Sequence, residues 1–182
     1  MKKMLLIVDP QNDFITGALA VDGAREAMDS LAEYIRATDG MYSIRVVTAD
    51  SHPCDHMSFI ENGGRWVSHC VAGTPGAAIW DALLKALDET SGKTVFLKKG
   101  IMRDTEEYSI FKNGYAAGVI RRIVEKEGID TIDLCGIAGD ICVLDTLTDG
   151  RKLLGKDIFN VLTDFSPSID GGKALMNAIS RQ

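Results

Sequence analysis

Residues 131–145 read TIDLCGIAGDICVLD. The apolar run 131–136 has strand length and closes on a glycine, and six residues later Cys142 opens a helix-length segment, 142–154. If the chain turns after Gly136 and the helix starts near Asp140, Asp140 is its N-cap and Cys142 lies in the first turn. A thiol there faces the positive end of the helix dipole, which favours the thiolate, and the free N–H groups of the turn can hold an oxyanion. The alternative is an inert core thiol, the commoner fate of an intracellular cysteine, and the spacing leaves both open. Cys135, inside the apolar run, is assigned to the core.

The same alternation extends in both directions. Short apolar runs at 4–8, 44–49, 94–97 and 157–163 read as buried strands, and the segments 24–37, 77–87, 116–127 and 172–180 read as helices. Strand and helix in strict turn predict βαβ units, a parallel sheet and helices on both of its faces. The length of 182 residues and hydrophobic content of 46% suit one domain spanning 1–182. The stretch 51–75, rich in Gly, His and polar residues, reads as an inserted functional loop.

In such sheets ligands gather beyond the carboxyl ends of the strands. Asp9, Asp50 with His52, Lys99 and Cys142 each follow a predicted strand, and Asp164 follows the fifth. A single strand-end aspartate usually caps a turn; four chemistry-bearing ends on one edge are harder to assign that way. The histidines, His52, His56 and His69, all fall within eighteen positions. Asp50 and His52 alternate as on an extended chain and can point the same way. A second histidine, from RWVSHCVAG (65–73), would complete a two-His, one-carboxylate face suited to Fe, Mn or Zn. A solvent loop that happens to hold histidines is the competing reading. His56 is then a supporting or surface residue, Glu61 a possible fourth ligand, and Cys54 and Cys70 alternative thiolate ligands.

A net charge of −6 with no long cationic run argues against nucleic acid, leaving a small molecule as the expected partner. The four cysteines have no C-x-x-C spacing and the apolar stretch at 4–8 is too short for a signal peptide, so a reduced, cytoplasmic protein with no membrane segment is expected.

With these residues assembled, the chain resembles the isochorismatase-like cysteine hydrolases, and within them the nicotinamidases. The resemblance rests on five ordered motifs: LLIVDPQNDFITGALAV (5–21), TADSHPCDHMSF (48–59), WVSHCVAGTPGA (66–77), FLKKG (96–100) followed by YSIF (108–111), and GIAGDICVLDT (136–146). It implies a three-layer α/β/α fold around a doubly wound, mainly parallel sheet of five or six strands, with the sixth reduced or absent here. It makes Asp9, Lys99 and Cys142 a catalytic triad, Lys99 being preferred to Lys98 because it directly precedes the glycine. It makes Asp50, His52 and His69 the ligands of one divalent metal ion (Zn, Fe or Mn), and the N–H groups of Ala138 and Cys142 an oxyanion hole. Phe14, Trp66 and Tyr108 resemble ring-packing residues, with ordinary core packing as the alternative. A cis peptide is expected at Ile137–Ala138. Gly139 departs from the pattern, which usually has threonine there.

The implied reaction converts nicotinamide to nicotinate and ammonia through a cysteine thioester, the metal holding the pyridine nitrogen. Homo-oligomerisation stays open. The alternatives are a related hydrolase acting on another small amide, ureido compound or vinyl ether, and a non-catalytic small-molecule or metal-binding domain on the same scaffold.

Overall fold

Strand β1 (Lys3–Val8) is fully buried from Met4 to Val8, because it lies in the middle of a sheet covered on both faces. The structure is a computed structural model that describes residues 1–180. β1 pairs in parallel with β2 (Tyr42–Asp50) on one side and β4 (Thr131–Gly136) on the other; β3 (Lys93–Lys99) and β5 (Phe159–Val161) form the edges, giving the order β3-β2-β1-β4-β5. All four pairings are parallel. The order reverses between β1 and β4, so the chain leaves these strands in opposite directions and opens a crevice at their carboxyl ends.

The strand period of two divides the core. Leu5 and Ile7 join a cluster with Met28, Leu31 and Leu83 from helices α2 (Ala24–Ala37) and α3 (Asp81–Glu89), while Met4, Leu6 and Val8 join Ile120, Leu147 and Leu175 on the other face. That second face is covered by α4 (Gly114–Glu127), α5 (Leu144–Leu154) and α6 (Lys173–Ser180); the short α1 (Asn12–Ile15) follows β1. α2 buries Met28, Leu31, Ala32 and Ile35, the 3.6-residue stripe of a helix lying on a sheet. α4 is bounded by the Asn113 side chain, which accepts from the Ala116 N–H, and by Gly128 in the left-handed region at φ 62°. The three-layer α/β/α expectation therefore holds, with five strands among the described residues. No helix among those residues is long and apolar enough to cross a membrane.

Several boundaries differ from the sequence reading. The helix expected over 77–87 begins at Asp81, because Pro75–Ala77 forms a separate 3-10 turn capped by the Thr74 hydroxyl. The strand expected over 157–163 is paired only at Phe159–Val161, and the chain then enters a 3-10 turn, Thr163–Phe165, in which Asp164 is exposed. Asp164 therefore stands apart from the other strand-end residues.

Candidate active site

The parallel register decides the centre of the site. Asp50 and Lys99 are paired positions at the ends of β2 and β3, and Asp9 is the residue after β1. Lys99 is completely buried, whereas Lys98 points to the exposed face of the same strand. The Lys99 Nζ lies 2.6 Å from Asp50 Oδ1, 2.8 Å from Asp9 Oδ2 and 3.7 Å from Cys142 Sγ.

Asp9 sits at φ 48°, a left-handed conformation that a non-glycine residue adopts only under constraint. Thr48 supplies part of that constraint: its hydroxyl donates to Asp9 Oδ1 at 2.7 Å, and its carbonyl accepts from the Asp9 N–H at 3.1 Å. Asp9 Oδ2 has the Lys99 charge beside it but no aligned hydrogen bond, leaving a buried lone pair that can receive a proton.

Cys142 occupies one turn of π-helix, Gly139–Val143, that precedes α5; the regular helix begins at Leu144 rather than at Cys142. Asp140 is not its N-cap. The Asp140 carboxylate accepts from the Ile169 and Asp170 N–H groups instead, at 3.0 Å each. Nor is the thiol acidic, as its expected place at a helix end implied. Burial pushes it well above its ordinary value, and the Lys99 ammonium offsets this only in part because Asp9 and Asp50 lie close by. The thiol therefore keeps its proton at rest. Burial likewise pushes the Asp9 carboxyl up to about 6, against the pull of Lys99. It acts the same way on Asp50, but there Lys99 and His52 outweigh it and hold the group below the usual carboxylate range. Burial alone would lower Lys99; Asp50 and Asp9 keep its ammonium firmly charged.

Asp50, His52 and His69 are all buried and offer ligand atoms within 4.8 Å of one another. The His52 Nδ1 is engaged by the Gly100 carbonyl at 2.9 Å and the His69 Nδ1 by the Val67 carbonyl at 2.8 Å. These contacts set both rings with Nε2 as the free donor, the arrangement metal-binding histidines generally show. Burial lowers the His69 pKa and keeps that ring neutral. Two imidazoles and one carboxylate thus fit a divalent cation. The close approach of Gly100 to His52 requires glycine: its φ is 63°, and a Cβ would lie 2.4 Å from the His52 ring.

Other candidates fall outside this set. His56 is buried rather than exposed; it stacks on His52 with ring centroids 4.1 Å apart and bonds the Ser58 hydroxyl and the Thr105 carbonyl. Glu61 is exposed and bound to the Ser68 hydroxyl. Cys54 is exposed, while Cys70 is buried with its N–H on Asp13 Oδ2, and neither thiol belongs to the ligand cluster. Cys135 is buried in the core.

Gln11 and Thr48 were not singled out from the sequence. The Gln11 amide donates to the Asp50 carbonyl at 2.8 Å and accepts from the Asp50 N–H at 2.7 Å, clamping the end of β2 as a neighbouring strand would. Its place two residues after Asp9, within the motif at 5–21, was the signal in the sequence; its complete burial shows only in the structure.

A narrow, mostly apolar cleft opens above Cys142. Phe14, Trp66 and Tyr108 line it, and the Trp66 indole donates to the Tyr108 hydroxyl at 3.0 Å. Leu19, Val21, Glu106, Ile141 and Ile169 complete the wall, and sequence reasoning had named none of them. Ala138 also faces the cleft; the peptide before it is cis, as expected, and its N–H has no acceptor among the described residues.

This architecture recurs in known proteins. The chain is 31% identical to a nicotinamidase of Acinetobacter baylyi over an alignment 193 positions long, covering 96% of this chain and 85% of that one. It superposes on the pyrazinamidase of Pyrococcus horikoshii in complex with zinc with a TM-score of 0.81 and 32% identity, covering 100% of this chain and 96% of that one. For the yeast nicotinamidase bound to the inhibitor nicotinaldehyde the TM-score is 0.78 at 25% identity, covering 98% and 94%. The isochorismatase domain matches residues 3–159, spanning β1 to β4 and the whole of the buried cluster, and the chain belongs to that family.

Proposed function

We propose that the protein is a cysteine amidohydrolase that converts nicotinamide to nicotinate and ammonia. The observation that carries this reading is the buried cluster itself: Asp9 and Lys99 lie beneath Cys142, which opens onto an apolar cleft, and Asp50 joins them to two histidines with free Nε2 atoms. The names of the relatives support the same substrate class.

Asp9 receives the Cys142 proton on Oδ2, which faces Lys99 without an aligned hydrogen bond, and the resulting thiolate is paired with Lys99. Sγ attacks the carboxamide carbon, and the oxygen that becomes negative is received by the N–H groups of Ala138 and Cys142. Asp9 returns its proton to the nitrogen as the C–N bond breaks, releasing ammonia and leaving a thioester. Asp9 then takes a proton from water, which attacks the thioester; nicotinate leaves and the thiol regains its proton. The raised pKa of Asp9 suits a group that both takes and gives a proton near neutrality.

Asp50, His52 and His69 would hold one divalent ion, with Zn, Fe and Mn all suited to these donors. Such an ion, when bound, supplies a Lewis-acid contact for the pyridine nitrogen, which orients the ring for attack. Phe14, Trp66 and Tyr108 pack against the ring and keep water from its faces. Four free cysteines suit a reducing, cytoplasmic setting.

Incubation of the purified protein with nicotinamide and an assay for ammonia tests this reading. Release of ammonia that disappears in Cys142→Ala supports it; no release from metal-supplemented protein overturns it.

A further inference from the structure

Ile169 is an isoleucine 56% exposed to solvent that nevertheless forms part of the wall of the reaction cleft, which Ile141 and Cys142 also line. Exposure of a single apolar residue is common and carries no meaning alone. Here the backbone around it is held in place from three directions.

The Asp140 carboxylate, one residue into the nucleophile turn, receives the N–H of Ile169 on Oδ1 and that of Asp170 on Oδ2. The N–H of Gly139 donates to the Pro167 carbonyl at 2.8 Å. The segment also rests directly on Gly139: a Cβ there would lie 2.2 Å from the Ser168 Oγ and 2.5 Å from the Ser166 carbonyl oxygen. On its far side Asp170 receives the N–H groups of Gly172, Lys173 and Ala174 and so ties the segment to the start of α6. Residues 166–170 are thus bonded to the same turn that carries Cys142, and Ile169 projects from them into the cleft that the thiol also lines.

We propose that Ile169, held over the cleft by Asp140 and by the bare Cα of Gly139, is a specificity-determining residue that limits which ring substituents the cleft admits. The proposal rests on the amidohydrolase reading for its substrate class, aromatic carboxamides; the geometry of the wall is independent of that reading. Asp140 is a positioning residue in this arrangement: it acts through Ile169 and does not itself line the part of the cleft around the thiol.

Three measurements on the parent protein, Ile169→Ala and Asp140→Ala test it. The first reads the width of the mouth without any substrate: the rate at which Cys142 is alkylated by N-phenylmaleimide, divided by the rate with iodoacetamide, followed at peptide level so that exposed Cys54 is counted separately. Ile169→Ala should raise this ratio about fivefold or more, and Asp140→Ala should raise it in the same direction. The second compares kcat/KM for the ring-methylated nicotinamides with that for nicotinamide. At least one methylated compound should gain about tenfold relative to nicotinamide in Ile169→Ala, and the same compound should gain in Asp140→Ala. Hydrogen exchange at the amides of Ile169 and Asp170 should accelerate in Asp140→Ala and be restored in part by Asp140→Asn, which keeps one acceptor oxygen. An unchanged alkylation ratio in a folded Ile169→Ala protein overturns the wall. A raised alkylation ratio with unchanged relative kcat/KM for every methylated compound overturns its role in specificity. Failure of the parent protein to release ammonia would instead count against the amidohydrolase reading, while the alkylation ratio would still decide the wall.

Discussion

Asp50 and Lys99 stand side by side in the β2/β3 register, and the Lys99 Nζ lies 2.6 Å from Asp50 Oδ1 while Asp50 Oδ2 faces the His52 Nε2 at 3.7 Å. One carboxylate therefore serves both halves of the site. The candidate metal ligands and the candidate triad are joined through it, although the sequence reading treats them as separate sets.

Single removals should separate those halves. His69→Ala deletes a candidate ligand that touches neither Lys99 nor Cys142, so bound metal measured by elemental analysis should fall, nicotinamide kcat/KM should drop, and Cys142 alkylation should stay within about twofold. The preference for nicotinamide over benzamide, which lacks the ring nitrogen, should narrow. Asp50→Asn should lose metal and also change Cys142 alkylation, because the charge balance around Lys99 changes. Equal effects of both variants on alkylation would show that the bridge carries no influence.

Cys142→Ala should abolish ammonia release, a loss of about four orders of magnitude or more for a nucleophile that acts as part of a unit. Cys142 borders the cleft and is not enclosed on all sides, so thermal unfolding should shift less than in the corresponding Cys135 variant. Cys135→Ala, by contrast, removes a thiol packed in the core and should cost about 1–2 kcal/mol of stability with the chemistry intact.

Lys99→Ala leaves two buried carboxylates facing each other without a cation. Breaking such a pair costs about 3–5 kcal/mol, and activity should vanish with it. Lys98→Ala, on the exposed face, should alter stability by less than about 0.5 kcal/mol. Denaturant titration of both variants checks the contrast; comparable losses would place the wrong lysine in the site.

The pH dependence follows from Asp9, whose carboxyl burial raises to about 6. The reaction needs the ionised form to take the thiol proton, so kcat/KM should be sustained above this value and fall about tenfold per pH unit below it. Stability carries the opposite sign. Between the ordinary value of 3.8 and about 6 the folded chain holds a proton that the unfolded chain has lost, so the contribution of Asp9 to folding is fullest below 3.8 and is lost as pH rises through 6. A profile of kcat/KM with no acid limb near 6 would contradict the assignment of Asp9 as base.

The alternation of short apolar runs with helix-length segments determined the layer architecture, because burial on both faces forces continuous apolar strands whatever surrounds them. Strand ends were equally legible: Asp9, Asp50, Lys99 and Cys142 each follow such a run, and parallel strands must end on one edge. Boundaries were less so. Asp81 rather than residue 77 starts α3 because Pro75 and Thr74 favour a separate turn, and Cys142 falls in a π-helical turn whose geometry no local spacing reveals. Only the tertiary structure decided the protonation of the site. A lone helix end would have made the Cys142 thiol acidic, but burial beside two carboxylates leaves it protonated, since desolvation and like charge depend on distances between residues some 40 to 130 positions apart. The same holds for Gln11, Thr48 and Ile169. Each is an ordinary residue in the chain and gains its place only where the sheet register or a packed loop brings it to Asp50, Asp9 or the cleft.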